Sequence, residues 1–309
     1  MSEAPRLESV AVVGAGALGA MYAAHLAAAE VEVVLVAAGE RAERLRTQGL
    51  TVNGAPLDIP VLDPSTDGHA PFDLVLVAVK AAQLEDSLDL VAPLVGPDTT
   101  FVSVLNGLDS ERVIGERFSP EQVLLCIALA MDAEREGSAV RYTAPGRLEI
   151  GDSPATVTPG EGGSERTEAV AELLDRAGIA CTVHDDMTHR MWWKFLVNVG
   201  GNQASAATRT TYGRLRQEPA RSLMVALQDE VVAVAAAEGV RLTATDVQRW
   251  YDVLEGQPAD GRTSMLQDVL AGRPTEVDIF AGRVVELGRR HGIATPYNQS
   301  MLWVLSALR

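Results

Sequence analysis

Residues 9 to 36 leave the chain little freedom in how it can begin to fold. Ser9-Val-Ala-Val-Val13 is a short apolar run that reads as a buried strand. Gly14-Ala15-Gly16-Ala17-Leu18-Gly19 follows at once, then the helical stretch Ala20–Ala29 and a second strand, Glu32–Val36. Strand, glycine turn, helix and strand within about 30 residues is the context in which G-x-G-x-x-G holds a dinucleotide. The glycines permit a tight turn and close backbone approach to a pyrophosphate, which then rests on the helix N-terminus. The competing reading is a glycine turn that serves only the chain's own packing. The position of the motif favours nucleotide binding, with Gly14, Ala15, Gly16, Ala17, Leu18 and Gly19 as the cofactor-binding residues.

Further strands are expected at Leu74–Val79, Thr100–Leu105 and Val123–Ala128, alternating with helices such as Ala81–Leu94. That alternation predicts an α/β domain, a doubly wound parallel sheet of the Rossmann type. Arg141–Ile150 reads as a hairpin on the sheet edge and Ser153–Ser164, rich in Gly, Pro, Ser and Thr, as a surface loop. A helix at Glu165–Ala177 and a strand at Ala180–His184 close this domain. From Asp185 onward the pattern is all helical, with helices expected at 188–208, 219–239, 243–256, 264–271, 276–291 and 297–308. The expected division is a dinucleotide-binding domain over 1–184 and a helical substrate or catalytic domain over 185–309. Two domains fit a length of 309 residues.

Composition excludes several classes. No apolar run reaches the ~18 residues a membrane helix needs. The start, Met1-Ser-Glu-Ala-Pro-Arg6, lacks the basic and apolar regions of a signal peptide. Cys126 and Cys181 lie in apolar stretches without metal-ligand spacing, as expected of reduced core residues in a cytoplasmic protein with no metal site. A net charge of −16 opposes nucleic acid as a partner and leaves any anionic substrate to be caught by local groups. The apolar helix near Ala226–Ala237 can face the core or a second copy of the chain, which leaves a homodimer open.

Within this acidic chain, 24 of the 26 basic residues are Arg, and only Lys80 and Lys194 are Lys. A compact ammonium whose pKa falls on burial can exchange protons, whereas a guanidinium cannot. Lys80 ends the apolar run Asp73–Lys80. Lys194 interrupts the greasy helix Met191–Val199, and Lys194, Asn198 and Asn202 recur at i, i+4 and i+8, with Ser205 at i+11. They form one polar stripe on one helix face. Amides and an amine on a buried helix need partners, because each unpaired amide costs about 1–3 kcal/mol. Either neighbouring helices supply them or the stripe lines a wet pocket, and its amphiphilic content favours the pocket. Gly200-Gly201 beside it points to close approach of a ligand or another backbone.

Two helix starts and one turn complete the candidates. Ser264, three residues before Gln267, has the spacing of a capping box; it is a cap or, with free backbone N–H groups, a carboxylate site. Thr275 reads as the cap of the next helix, with Glu276 in its first turn and Asp278 at the third position. Asn106-Gly107 follows a strand at the edge of the sheet where ligands collect, or is a plain turn.

These segments together resemble the ketopantoate reductases (2-dehydropantoate 2-reductases). The resemblance rests on Gly14–Gly19, Val79-Lys80-Ala-Ala-Gln83, Leu105-Asn106-Gly107, Trp193-Lys194-Phe-Leu-Val-Asn198, Ser264-Met-Leu-Gln-Asp268 and Thr275-Glu276-Val-Asp278, in the family's order over nearly the whole chain. It implies a Rossmann domain followed by a helical domain, with the active site in the cleft between them. It implies reduction of ketopantoate to pantoate with NADPH, towards pantothenate and coenzyme A. By motif, Lys194 matches the family's general acid, and Lys80 and Asn106 match positions near the nicotinamide end of the cofactor and the substrate. Asn198 and Asn202 match amides that contact substrate, Ser264 the group holding its carboxylate, and Glu276 an acid that anchors substrate or cofactor beside the lysine.

Two positions depart from that pattern. The Arg that commonly grips the 2′-phosphate of NADP is replaced by Ala38, with Glu40, Arg41 and Arg44 nearby. NADPH remains the expected cofactor, through Arg41 or Arg44, with NAD as the second reading. Gly261 stands where some members carry Asn, and Arg262 beside it would let the acid bound differ from ketopantoate. The alternatives are a D-2-hydroxyacid dehydrogenase on the same two-domain plan, acting on another 2-oxo acid, and a nucleotide sensor without turnover.

Overall fold

The computed structural model of the chain describes residues 6–154, 156 and 163–308, so the expected loop at Ser153–Ser164 lies largely outside the described residues. The chain divides into two units, Met1–Thr188 and His189–Arg309, where the sequence reading divides it after His184.

The first unit runs β1 (Ser9–Val13), α1 (Ala17–Ala28), β2 (Glu32–Val36), α2 (Gly39–Gln48), β3 (Thr51–Val52), β4 (Ala55–Pro56), β5 (Val61–Leu62), β6 (Leu74–Val77), α3 (Leu84–Val91), β7 (Thr100–Ser103) and α4 (Ser110–Arg117). It continues β8 (Val123–Leu129), β9 (Glu134–Glu136), β10 (Ala139–Arg141), β11 (Arg147–Gly151), α5 (Glu165–Arg176) and β12 (Cys181–Val183). The main sheet has the order β12-β11-β8-β7-β6-β1-β2-β5. From β5 to β8 the neighbouring strands are parallel, in the order 3-2-1-4-5-6 of a doubly wound dinucleotide fold. The apolar residues of β1 run without interruption because both faces are covered. Val10 and Val12 pack with Met21 and Leu26 of α1 and Val170 and Leu173 of α5. Ala11 and Val13 pack on the opposite face with Leu84 and Leu88 of α3 and Ile114 of α4.

The expected hairpin at Arg141–Ile150 does not form. β10 belongs to a second, four-stranded sheet, β4-β3-β10-β9, while β11 runs antiparallel to β8 in the main sheet, inside β12. The reason is the Asp132 carboxylate, which accepts the N–H groups of Thr143 and Ala144 at 2.9 and 2.8 Å and pins the segment between β10 and β11. Strands of two and three residues made this second sheet invisible to periodicity.

The second unit is helical. It comprises α6 (Met187–Val197, whose first two residues belong to the first unit), α7 (Gln203–Thr208), α8 (Tyr212–Leu215), α9 (Ala220–Ala237), α10 (Ala244–Glu255), α11 (Ser264–Leu270), α12 (Arg283–His291) and α13 (Pro296–Ser306). Two π-helical turns interrupt it, Asn198–Asn202 between α6 and α7 and Asp278–Gly282 before α12. The single helix expected over 188–208 is therefore three segments. α9 turns Met224, Leu227, Val231 and Val234 into this chain's own core. Four large apolar residues left exposed, Tyr297, Trp303, Val304 and Leu308, lie instead on and just after α13, with Trp303 67% exposed. No helix among the described residues is long and apolar enough to cross a membrane.

Glu230 of α9 ties the start of α13 into this core. Its carboxylate accepts the N–H groups of Tyr297 and Asn298 at 2.8 and 2.9 Å and the Asn298 side-chain amide at 2.7 Å. Helix-start N–H groups have no carbonyl of their own helix to bond. Glu230→Ala is expected to leave them unpaired and to cost about 1–3 kcal/mol, measured by urea unfolding.

Candidate active site

The glycine turn joins the C-terminal end of β1 to α1, and its three glycines are required for different reasons. Gly14 has φ +103, and a Cβ there would lie 2.5 Å from the Ala78 carbonyl oxygen, just beyond β6. A Cβ on Gly19 would overlap the Gly14 carbonyl oxygen. The chain's own packing thus demands both. Gly16 differs: a Cβ on it would meet only the Ala78 oxygen, at 3.9 Å. Packing does not need this glycine, and what it leaves open is the mouth of α1. There Gly16 is the cap residue, no side chain caps the helix and its first turn carries no acid. Backbone N–H groups at such a start favour an anion, so the residues present fit a dinucleotide pyrophosphate.

Lys80 and Asn106 stand in the loops after β6 and β7, beside the glycine turn along the sheet's C-terminal edge. Lys80 is exposed and its carbonyl accepts the Gln83 N–H at 2.8 Å; Asn106 is half-buried, ahead of Gly107 at φ +100. β6 ends at Val77, two residues before its expected end, because Ala78 and Val79 turn against Gly14.

A group that sequence reasoning missed also belongs here. Arg135 of β9 donates through Nη1 to the Ala15 carbonyl in the glycine turn and through Nε to Gly137 O at 2.8 Å. Partial desolvation, reinforced by the nearby charges of Arg41 and Arg44 on α2, lowers the proton affinity of this largely exposed guanidinium. Among the described residues, none of these three arginines is paired with a carboxylate. Asp63, just after β5, accepts the Gly39 N–H at the start of α2 at 2.9 Å and the Ser65 hydroxyl at 2.6 Å.

In the second unit, Lys194 is 8% exposed on α6 among Trp192, Trp193, Phe195 and Leu196. Trp193 anchors the helix: Arg190 and Arg249 lie 4.9 and 5.0 Å from its ring centre, and its Nε1 donates to Asp246 O at 3.0 Å. Asn198 and Asn202 open and close the first π-turn, both half-buried. Gly200 and Gly201 admit side chains rather than a ligand. Gln228 occupies the space of a Gly200 Cβ, and a Cβ on Gly201 would lie 3.0 Å from the Trp250 ring. Ser205 leaves the stripe, because its hydroxyl donates to Thr210 O at 2.6 Å.

The expected caps move by one residue, in opposite directions. Thr263, not Ser264, caps α11, accepting the Leu266 N–H at 3.2 Å, so Ser264 is the exposed first helical residue and no box with Gln267 forms. The next helical segment starts at Val277, so half-buried Glu276 precedes it rather than lying in its first turn. α11 packs on α7 and the first π-turn, and the two π-turns pack on each other. α6 runs directly into the first π-turn, so the elements that carry Lys194, Asn198, Asn202 and Ser264, and the turn that Glu276 precedes, are linked by chain continuity and packing within one unit. Gly261 has its own reason, since a Cβ there would lie 2.9 Å from the Tyr212 ring and 3.0 Å from Pro258 O.

A doubly wound dinucleotide unit with an open helix mouth, followed by a helical unit bearing a buried amine, defines a dinucleotide-dependent oxidoreductase. The comparisons with known proteins agree. The family described as "Ketopantoate reductase PanE/ApbA" matches residues 10–155, and its C-terminal counterpart, "Ketopantoate reductase PanE/ApbA C terminal", matches residues 186–309. The chain belongs to the ketopantoate reductase family. It is 29% identical to the 2-dehydropantoate 2-reductase of Vibrio cholerae, over 97% of both chains. Identity to that of Halobacterium salinarum is 32%, over 93% of this chain and 94% of the other. The crystal structure of 2-dehydropantoate 2-reductase from Methylococcus capsulatus superposes with a TM-score of 0.82 at 27% identity, covering 97% and 96% of the two chains. A D-mandelate dehydrogenase with NADH and anilino(oxo)acetate shares the fold, with a TM-score of 0.85 at 24% identity over 97% and 98%.

Two substitutions separate the two roles of the glycines. Gly19→Ala is expected to destabilise the first unit by about 1–3 kcal/mol through overpacking. Gly16→Ala should cost less than about 1 kcal/mol, as a poorer cap, yet weaken dinucleotide binding about tenfold or more. Urea unfolding and a fluorescence titration with NADPH measure the two effects.

Proposed function

We propose that the protein reduces ketopantoate to (R)-pantoate with NADPH. The observation that carries this reading is Lys194, a buried amine four residues before Asn198 on a continuous helical run, in a chain that belongs to the ketopantoate reductases. When bound, NADPH supplies the hydride for the 2-oxo carbon. Lys194 holds its ammonium where negative charge develops on the substrate oxygen and delivers a proton to that oxygen. Asn198 and Asn202 orient the substrate through its hydroxyl and carbonyl groups, and Ser264 holds the carboxylate. Glu276 anchors substrate or cofactor, and Lys80 and Asn106 act at the nicotinamide end of the site. Lys194→Ala is expected to lose about 10²- to 10⁴-fold in kcat while NADPH still binds, and Lys194→Arg to fare no better, because a guanidinium does not give up its proton. Near-normal turnover by either variant would refute the assignment.

NADPH rather than NADH is favoured by Arg41, Arg44 and Arg135. Three guanidiniums without carboxylate partners around the glycine turn and α2 suit a phosphate monoester better than a ribose hydroxyl. They stand in for the Arg missing at Ala38. Replacing Arg44 or Arg135 by Gln should lower the NADPH-over-NADH ratio of kcat/KM about tenfold, as expected for one charge-assisted contact. A wild-type preference for NADH would overturn the choice of cofactor.

The second reading is reduction of another 2-oxo acid, and exposed Arg262 beside Ser264 favours it, as a cation next to the proposed carboxylate site. A panel of 2-oxo acids, each assayed with NADPH and NADH, decides between the two. Ketopantoate should exceed phenylglyoxylate and pyruvate in kcat/KM by about a hundredfold or more if the site is built for its hydroxyl. A higher value for an apolar acid would transfer the assignment to the second reading.

A further inference from the structure

The two π-turns of the helical unit share one buried side chain, and no part of the proposed chemistry uses it. A π-turn widens the helix and takes backbone groups out of the i to i−4 pattern, so these groups need partners from elsewhere. At the first turn the Val199 carbonyl accepts from Gln203 Nε2 at 2.9 Å. At the second turn the Ala281 N–H donates to Gln203 Oε1 at 3.0 Å. The remaining Nε2 hydrogen goes to Asn298 Oδ1 at 3.1 Å. Asn298 in turn donates to Leu227 O at 3.2 Å and to the Glu230 carboxylate. Gln203 and Asn298 are both fully buried. The orientation of the Gln203 amide is fixed by its neighbours, since only its oxygen can meet an N–H and only its nitrogen can meet a carbonyl.

We propose that Gln203 is a positioning residue, which sets the two π-turns against each other by holding the Val199 carbonyl and the Ala281 N–H at once. Asn198 and Asn202 lie on the first turn and Glu276 leads into the second, so the amide stripe and the acid keep their mutual placement only while Gln203 holds both. Its meaning for catalysis rests on the ketopantoate reading; the clamp itself does not. Packing alone would need only a side chain of the right volume. The anchoring of Gln203 through Asn298 to Glu230 supplies a fixed third point against which both turns are registered.

Gln203→Met keeps the volume and removes every side-chain hydrogen bond, and Gln203→Ser, too short to reach both turns, serves should Met prevent folding. The full-length variant is compared with wild type by hydrogen–deuterium exchange and by kinetics, at a temperature where circular dichroism shows both folded. Residues 198–202 and 277–282 should exchange faster together, while β1 is unchanged. The kcat for ketopantoate should fall about 10- to 100-fold, with the Kd for NADPH within about twofold. Faster exchange in only one of the two turns would overturn the shared clamp. Normal kcat and KM in a folded variant, even one with a lowered Tm, would overturn the positioning role and leave a structural one. If wild type does not turn over ketopantoate, the functional reading fails, and the exchange result alone decides the clamp.

Discussion

Close backbone approach at the end of β1 is the constraint on which the first unit depends. Gly19 lies against the Gly14 carbonyl and Gly14 against Ala78, so α1, β1 and the loop after β6 meet without a side chain between them. A methyl at either position would push α1 away from the sheet. Because α1 buries Met21, Tyr22 and Leu26 on the face shared with α5, the whole of that layer would move with it. The same contact brings the mouth of α1 and the loop carrying Lys80 side by side. One steric requirement therefore builds the core and shapes the ledge proposed for the cofactor, and of the three glycines only Gly16 is left open by the packing.

The helical unit obeys a different rule, the satisfaction of backbone groups that its irregular helices release. Gln203 supplies both a donor and an acceptor, Gln228 reaches Leu196 O at 3.5 Å above Gly200, and Glu230 closes the start of α13. Each is a long polar side chain in an apolar interior, tolerable only because its partners are backbone groups with the same need. A regular helix in place of the first π-turn would rotate everything beyond it, including Asn202, relative to Lys194.

What could be read from the residues alone follows from how local each signal is. The glycine turn, the strands of the main sheet and the Lys194–Asn198–Asn202 spacing are contiguous or periodic, and the sequence displays them directly. The π-turns hide because a fifth residue in one turn barely disturbs an apolar pattern, and Gly200-Gly201 suggests close approach of a ligand or another backbone where the side chains of Gln228 and Trp250 pack. Thr263 and Ser264 both carry hydroxyls, so only geometry tells which one caps α11. Arg135 gave no local signal, since three exposed charged residues form β9. It reaches the glycine turn because β10 pairs with β3, a contact between segments nearly ninety residues apart in sequence.

Charge sharpens the division of labour. At −16 the molecule as a whole repels an anionic dinucleotide and an anionic 2-oxo acid alike, but that field is screened over about 8–10 Å at physiological salt. Inside that range local cations decide, and they are of two kinds. The guanidinium of Arg135 spends donors on the carbonyls of Ala15 and Gly137 and stays charged, so it can fix a backbone turn and still face an anion. The ammonium of Lys194 is buried on a helix, and a primary amine, unlike a guanidinium, can give a proton and take it back. A chain that uses Arg at 24 of 26 basic positions and keeps Lys at Lys80 and Lys194 has kept it at two of the positions proposed for the reaction itself.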